Sequence, residues 1–101
     1  MKHKFFKEAI EKYKVALDYP AGFKLLRKSA ALGSIKAHEW LGAVYDYGLG
    51  TRANRRKAFE HYLIAANAGN ANAQYHIGIF LSEGRGVKRD DKTAARLLLV
   101  T

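Results

Sequence analysis

Residues 22–52 read GFKLLRKSAALGSIKAHEWLGAVYDYGLGTR, and residues 58–88 read AFEHYLIAANAGNANAQYHIGIFLSEGRGVK, the same pattern displaced by 36 positions. Most of the identities at this offset are Gly or Ala, which let backbones approach closely. The identical pairs are Phe23 and Phe59, Ala30 and Ala66, Gly33 and Gly69, Ala37 and Ala73, Gly42 and Gly78, Gly48 and Gly84, Gly50 and Gly86, Ala58 and Ala94, and Leu63 and Leu99. A fixed period of this length predicts a repeat architecture.

Within each unit the apolar residues recur at the spacing of an α-helix. Ala37, Leu41 and Tyr45 are four positions apart, and the same spacing returns one repeat later. Such a stripe predicts a helix that buries one face. The sequence predicts six helices, at about residues 4–18, 20–32, 35–47, 54–68, 71–83 and 91–100. They pair into three antiparallel hairpins of an all-α domain.

Residues that end and begin helices stand at these boundaries. Gly33 and Gly69 occupy the position at which a helix commonly ends in a left-handed conformation. Ser34 and Asn70, which follow them, have side chains that accept hydrogen bonds from the first free amides of the next helix. Asp90 is placed to begin the last helix in the same way.

The predicted domain spans residues 1–101, with a diverged N-terminal hairpin at 1–33 and repeats at 34–69 and 70–101. The first unit has Lys12 and Lys14 where the register calls for glycine. The last helix ends in RLLLVT without a polar cap. Because terminal repeats need a polar outer face, we expect this C-terminal helix either to lie partly exposed or to be covered by a partner or a second copy.

The stretches AHEWLGAVYDYGLG, RKAFEHYLIAANAGNANA and AQYHIGIFLSEGRGVKRDDKTA resemble the Sel-one-like repeats, relatives of the tetratricopeptide repeats. The family pattern runs through Ala, Leu-Gly, Tyr, a Gly-x-Gly loop, a polar residue and Ala. The repeat at 70–101 fits it well, whereas the repeat at 34–69 departs from it at Thr51 and Asn54. The resemblance covers about residues 22–100 and implies a right-handed α-solenoid that acts through protein–protein contact, with no catalytic site in the motif.

Composition narrows the function further. The chain has 101 residues, no cysteine and a net charge of +9, which predicts attraction to an acidic protein, to nucleic acid or to an anionic surface. Charged residues interrupt the apolar ones near the N-terminus, so we expect neither a signal peptide nor a membrane span. We expect a soluble, cytoplasmic protein.

No pattern in the chain predicts catalysis, a metal site or a cofactor. The glycine loops lack the P-loop spacing, and the repeat explains them as turns. The four histidines form no His-x-x-x-His pair and have no cysteine beside them. No serine stands in a Gly-x-Ser-x-Gly elbow. The expected protein is therefore not an enzyme.

The candidate binding residues are basic side chains of the glycine loops and aromatic side chains on the first helices of the hairpins. The predicted partner-binding residues are Arg52, Arg55, Arg56, Arg85, Lys88, Arg89, Lys92, His38, Trp40, Tyr47, Tyr75 and Phe80. We expect an adaptor, scaffold or inhibitor with a basic surface for an acidic protein partner. The alternatives are an immunity-type protein that neutralises one dedicated toxin or effector, and a nucleic-acid-binding protein that uses the same basic ridge.

Overall fold

The computed structural model describes residues 2–11 and 19–100, and every regular element in these two ranges is an α-helix. The helices are α1 (Lys2–Glu11), α2 (Tyr19–Ala31), α3 (Ile35–Tyr47), α4 (Arg55–Asn67), α5 (Ala71–Glu83) and α6 (Asp91–Val100). The six predicted helices are thus confirmed within these ranges. The second half of the predicted first helix, residues 12–18, lies outside the described residues.

The ends of α3 and α5 are defined by hydrogen bonds between residues close in sequence. The Ser34 Oγ accepts a hydrogen bond from the Ala37 amide at 3.1 Å, and the Asn70 Oδ1 accepts one from the Ala73 amide at 2.8 Å. At the other ends, Gly48 and Gly84 adopt left-handed backbone conformations and donate to carbonyls of the last helical turn. These contacts fix the first helices of the second and third hairpins at identical lengths.

The second helices of these hairpins begin at polar caps of two different residue types. The Asn54 Oδ1 accepts from the Lys57 amide at 3.0 Å, and the Asp90 Oδ1 accepts from the Thr93 amide at the same distance. The amide oxygen of Asn54 and the carboxylate oxygen of Asp90 thus accept from equivalent N–H groups at the starts of their helices. The departure from the family pattern at Asn54 therefore leaves the cap intact.

The core runs through the stack as one cluster, formed by residues from α2 to α5. Its largest fully buried hydrophobic side chains are Leu26, Leu41, Val44 and Phe80. Four alanines of this core have no exposed surface: Ala37, Ala58, Ala65 and Ala73. Small side chains at these points let successive helices pack tightly, which explains why the repeat consists largely of Gly and Ala identities.

Consecutive helices pack antiparallel to one another, so that the chain forms a solenoid with extents of 40 × 25 × 20 Å. The odd-numbered helices form one layer and the even-numbered helices form the other. The α3–α4 and α5–α6 loops lie at one edge of the stack, which we call the loop edge. The short α2–α3 and α4–α5 turns lie at the opposite edge, the turn edge.

Candidate protein-interaction surface

Charge is strongly segregated between the two edges. The segments 46–57 and 83–92, at the loop edge, carry eight basic and four acidic side chains. The turn-edge segments 31–38 and 67–74 carry a single Lys, Arg, Asp or Glu side chain, that of Lys36. The topology that brings the two glycine loops together therefore concentrates positive charge along one edge of the solenoid.

Asp46 joins the two basic clusters at this edge. Its carboxylate is 3.1 Å from the Arg85 Nη1 and 3.7 Å from the Arg55 Nε, and its side chain is only 6% exposed. Arg85 also forms an ion pair with Glu83 at 2.7 Å. The structure thus places two of the predicted binding residues in contact with one carboxylate: Arg55 within the second hairpin, and Arg85 across from the third hairpin to the second.

The remaining predicted basic residues divide into paired and unpaired side chains. The Arg89 Nε lies 2.9 Å from the Asp91 carboxylate, and the Arg56 Nε lies 4.0 Å from the Glu60 carboxylate one helical turn away. Both of these pairs are largely exposed. The exposed side chains without an ion pair to any described carboxylate are Arg52, Lys88 and Lys92.

The predicted aromatic contacts differ widely in exposure. Tyr47 is 71% exposed and Tyr75 is 50% exposed, so both rings are available to a partner. Trp40 is half-buried, and its ring meets the edge of the Phe6 ring at a centroid distance of 6.4 Å. Tyr47 and Tyr75 therefore retain the exposure that the prediction requires.

The prediction that Phe80 contacts a partner is wrong, because its side chain is 1% exposed. The ring packs between Phe59 and Tyr62, with centroid distances of 6.3 Å and 5.7 Å. The 36-residue offset places Phe80 at the position of Val44, which is equally buried. That register was the available signal, since equivalent positions of a repeat occupy equivalent environments.

Two histidines distant in sequence meet between α3 and α4. The Nδ1 atoms of His38 and His61 are 3.0 Å apart, and the Tyr45 ring stacks on His61 at 5.4 Å. Burial and, to a smaller extent, the neighbouring His38 lower the pKa of His61 to about 4. Burial also lowers the pKa of His38. The pair is therefore neutral at pH 7, with one ring donating the hydrogen bond and the other accepting it.

A basic groove, which the sequence analysis did not identify, lies beside this pair. It has a volume of about 280 Å³ and is lined chiefly by Phe23, Arg27, Tyr45, Arg52 and Lys57. A second groove, of about 240 Å³, shares Arg27 and Tyr45 with it and continues past Ala30, His38, Leu41 and His61. We call this second one the apolar groove. Because the lining of the basic groove comes from three helices and a loop, the sequence showed only its separate charges, those of Arg27, Arg52 and Lys57.

The described part of the chain offers no site for a metal ion, because it brings together no group of three or more His, Cys, Asp or Glu side chains suited to hold one. Among the same residues, no helix is long and apolar enough to cross a membrane. The arrangement thus provides charged and aromatic surfaces suited to binding.

Family models match nearly the whole chain as three Sel1 repeats, at residues 4–34, 35–70 and 71–99. The chain belongs to the Sel1 repeat family. The first Sel1 repeat takes in α1 and α2, so the N-terminal hairpin is a member of the repeat series despite its divergent loop sequence. Sel1 repeats mediate contacts between proteins, and their fold is a solenoid of helical hairpins.

Curated relatives are similar in sequence over most of the chain. It is 34% identical over 80 residues to "Protein sel-1 homolog 2" of Homo sapiens, a match that covers 78% of this chain and 12% of the relative. It is 32% identical over 95 residues to "ERAD-associated E3 ubiquitin-protein ligase component HRD3B" of Arabidopsis thaliana, covering 85% of this chain and 15% of the relative. The chain thus spans less than a fifth of the length of either relative.

Solved Sel1 structures have the same fold. The Sel1 repeat protein from Oxalobacter formigenes is 31% identical, with a TM-score of 0.83 over 92% of this chain and 37% of its own. The protein c5321, a protective antigen of uropathogenic Escherichia coli strains, has a TM-score of 0.90 at 23% identity. That match covers 96% of this chain and 21% of c5321, and it demonstrates the shared fold alone.

Proposed function

We propose that this chain is a non-enzymatic protein-interaction module that presents its loop edge to an acidic surface of another protein. The observation that carries the proposal is the segregation of charge, with eight basic side chains at the loop edge and one at the turn edge. Loops are the parts of a repeat protein that vary freely, so charge concentrated there serves recognition better than it serves folding.

The ion pairs of the loop edge support this proposal. Asp46 and Glu83 form ion pairs with Arg55 and Arg85, and the pair between Arg85 and Asp46 links the third hairpin to the second. These two carboxylates therefore offset the charge of Arg55 and Arg85. Lys88 and Lys92 stay exposed and uncompensated by any described carboxylate. Positive charge that is not neutralised inside the fold steers association with an acidic partner and raises the association rate.

The relatives support the same class of function. HRD3B is a component of an E3 ubiquitin-protein ligase, and it therefore works within an assembly of proteins. An electropositive edge also attracts nucleic acid, but the most exposed large aromatic rings, Tyr47 and Tyr75, lie on different helices. Because nucleic-acid binding of this kind combines charge with stacked rings, we favour an acidic protein.

The proposal is tested by using the 101-residue chain as bait in a nuclease-treated lysate of its source cells, with the captured proteins quantified by mass spectrometry. The test variant carries Lys88→Glu and Lys92→Glu. The matched control carries Lys24→Glu and Lys36→Glu, which change the net charge equally at exposed positions away from the loop edge. We expect one acidic protein at near-equal stoichiometry, retained by the control and reduced about tenfold or more by the test variant.

Two results would contradict the proposal. Equal loss of the captured protein with both variants would show that net charge, rather than the loop edge, governs binding. Capture of nucleic acid without nuclease, and of no protein after nuclease treatment, would assign the chain to the nucleic-acid-binding class.

A further inference from the structure

The basic groove lies on the even-numbered layer, in the gap between α2 and α4. Its cations are Arg27 from α2, Arg52 from the α3–α4 loop and Lys57 from the first turn of α4. None of the residues that line it is acidic, and none of these three cations forms an ion pair with a described carboxylate. Three convergent positive side chains without a counter-charge provide a site for an anionic group.

Aromatic rings position two of the three cations. The Arg27 guanidinium lies 5.6 Å from the Phe23 ring centroid, and the Lys57 ammonium lies 5.5 Å from the Tyr45 ring centroid. These two rings meet edge to face at 5.6 Å. The wall between the cations is therefore rigid and apolar, which suits an anion that is attached to methylene groups.

One backbone donor beside the groove is already occupied. The free amide of Lys57 at the start of α4 already donates to the Asn54 Oδ1 at 3.0 Å. The cap thereby takes up a donor that phosphate groups commonly use at helix N-termini. The side chains supply charged donors, and the guanidinium groups of Arg27 and Arg52 match the planar geometry of a carboxylate.

The apolar groove extends the basic groove along the same layer. The two share Arg27 and Tyr45, and beyond them the lining changes to Ala30, Leu41 and the rings of the His38–His61 pair. A chain segment laid across both grooves would meet positive charge first and an apolar surface next. An acidic side chain and a large apolar side chain close together on such a segment would match this sequence of environments.

We propose that these two grooves bind a segment of the acidic protein partner in which an Asp or Glu stands next to a large apolar residue. The carboxylate lies between Arg27, Arg52 and Lys57, and the apolar side chain lies between α2 and α4 above Leu41. This inference rests on the proposed function, because it assigns a docking point for that acidic partner. It extends the contact surface from the loop edge, to which Arg52 and Lys57 belong, onto the even-numbered layer at Arg27 and the apolar groove.

The probe is the peptide acetyl-Gly-Ser-Leu-Glu-Ser-Gly-amide, titrated into the 15N-labelled 101-residue chain and followed by two-dimensional NMR. Two matched peptides carry Gln in place of Glu, or Ser in place of Leu. We expect saturable shifts in the amide signals of residues that line the grooves. We expect binding to weaken about tenfold with the Gln peptide, because a charge-assisted hydrogen bond is lost, and several-fold with the Ser peptide.

The chain itself is tested with the variant Arg27→Gln with Lys57→Gln, against the control Lys24→Gln with Lys36→Gln. These changes remove charge without introducing a like-charge clash, and circular dichroism confirms that each variant is folded. The groove variant is expected to bind the Glu peptide about tenfold more weakly, and the control to bind it unchanged. Equal affinity for the Glu and Gln peptides, or no saturable shift, would overturn the inference.

The two proposals can fail separately. If the groove variant captures the acidic partner as well as the wild type does, while Lys88→Glu with Lys92→Glu loses it, the grooves are not the docking point and the proposed function stands. If the loop-edge variant also retains the partner, both proposals fail. Stronger shifts of the groove signals by inorganic phosphate or by a single-stranded oligonucleotide than by the Glu peptide would likewise overturn the carboxylate assignment.

Discussion

Replacing Gly86 with alanine measures how closely the third hairpin approaches the second. Gly86 has a φ of +70°, and a Cβ atom added there would lie 2.7 Å from the Arg55 carbonyl carbon and 2.8 Å from the Arg56 amide nitrogen. Both atoms belong to the backbone of α4, which cannot rotate away as a side chain can. Gly33 has a φ of +93°, but a Cβ there would meet no atom within 4 Å.

Both substitutions place a non-glycine residue in the left-handed region, but only Gly86→Ala also creates a steric clash. A non-glycine residue in the left-handed region costs about 1–2 kcal/mol, and this applies at both positions. Forcing a methyl group against packed atoms costs about 1–3 kcal/mol more, and this applies at Gly86 alone. We therefore expect Gly33→Ala to lower the free energy of unfolding by about 1–2 kcal/mol and Gly86→Ala to lower it by about 2–5 kcal/mol.

The assay is urea denaturation followed by helical circular dichroism, with both variants measured beside the wild type. Gly86→Asn is the internal control, because asparagine tolerates the left-handed region but still carries a Cβ. Equal destabilisation by Gly33→Ala and Gly86→Ala, to within about 0.5 kcal/mol, would refute the reasoning that close approach between hairpins requires glycine. Recovery of wild-type stability in Gly86→Asn would refute it as well.

Three further predictions concern single contacts. Asp46→Asn removes the charge that pairs with Arg85 and Arg55, and we expect urea denaturation to show a loss of about 1–2 kcal/mol, while an unchanged midpoint would contradict this. The pKa of His61 is about 4 in the folded chain, against a usual value of 6.5. As the pH falls, His61 is therefore protonated in the unfolded chain at a higher pH than in the folded chain. Stability is then full above pH 6.5 and falls by about 1–2 kcal/mol as the pH drops towards 4, after allowance for partial solvent exposure. In His61→Phe a ring that does not titrate takes the place of the imidazole against Tyr45, and we expect this part of the pH profile to flatten. If the slope keeps its wild-type size, the pH dependence comes from other groups. Ser34→Ala removes the cap of α3 and is expected to lower the thermal midpoint through a loss of about 1 kcal/mol, a shift that Lys36→Ala, at an exposed site two residues away, does not reproduce.

The helices and their pairing were predictable because the signals that define them are local. The predicted bounds of α3 and α5 match the structure, since each helix begins at a cap three residues from its hydrogen-bond partner and ends at a left-handed glycine. The 36-residue period gave the number of hairpins, because a repeat hairpin buries its apolar face only by stacking on a neighbour. The expected acidic partner, cytoplasmic location and self-association through the C-terminal helix stay predictions.

The binding surface depended on contacts between residues far apart in sequence. Phe80 was predicted to be an exposed aromatic contact, yet the packing of α5 on α4 buries it. The His38–His61 pair depends on the pairing of α3 with α4, and the two grooves depend on the position of α2 beside that hairpin. Hydrogen bonds between near neighbours can be inferred from a sequence alone, whereas the exposure of a side chain depends on how the hairpins stack, and only the tertiary structure decided it.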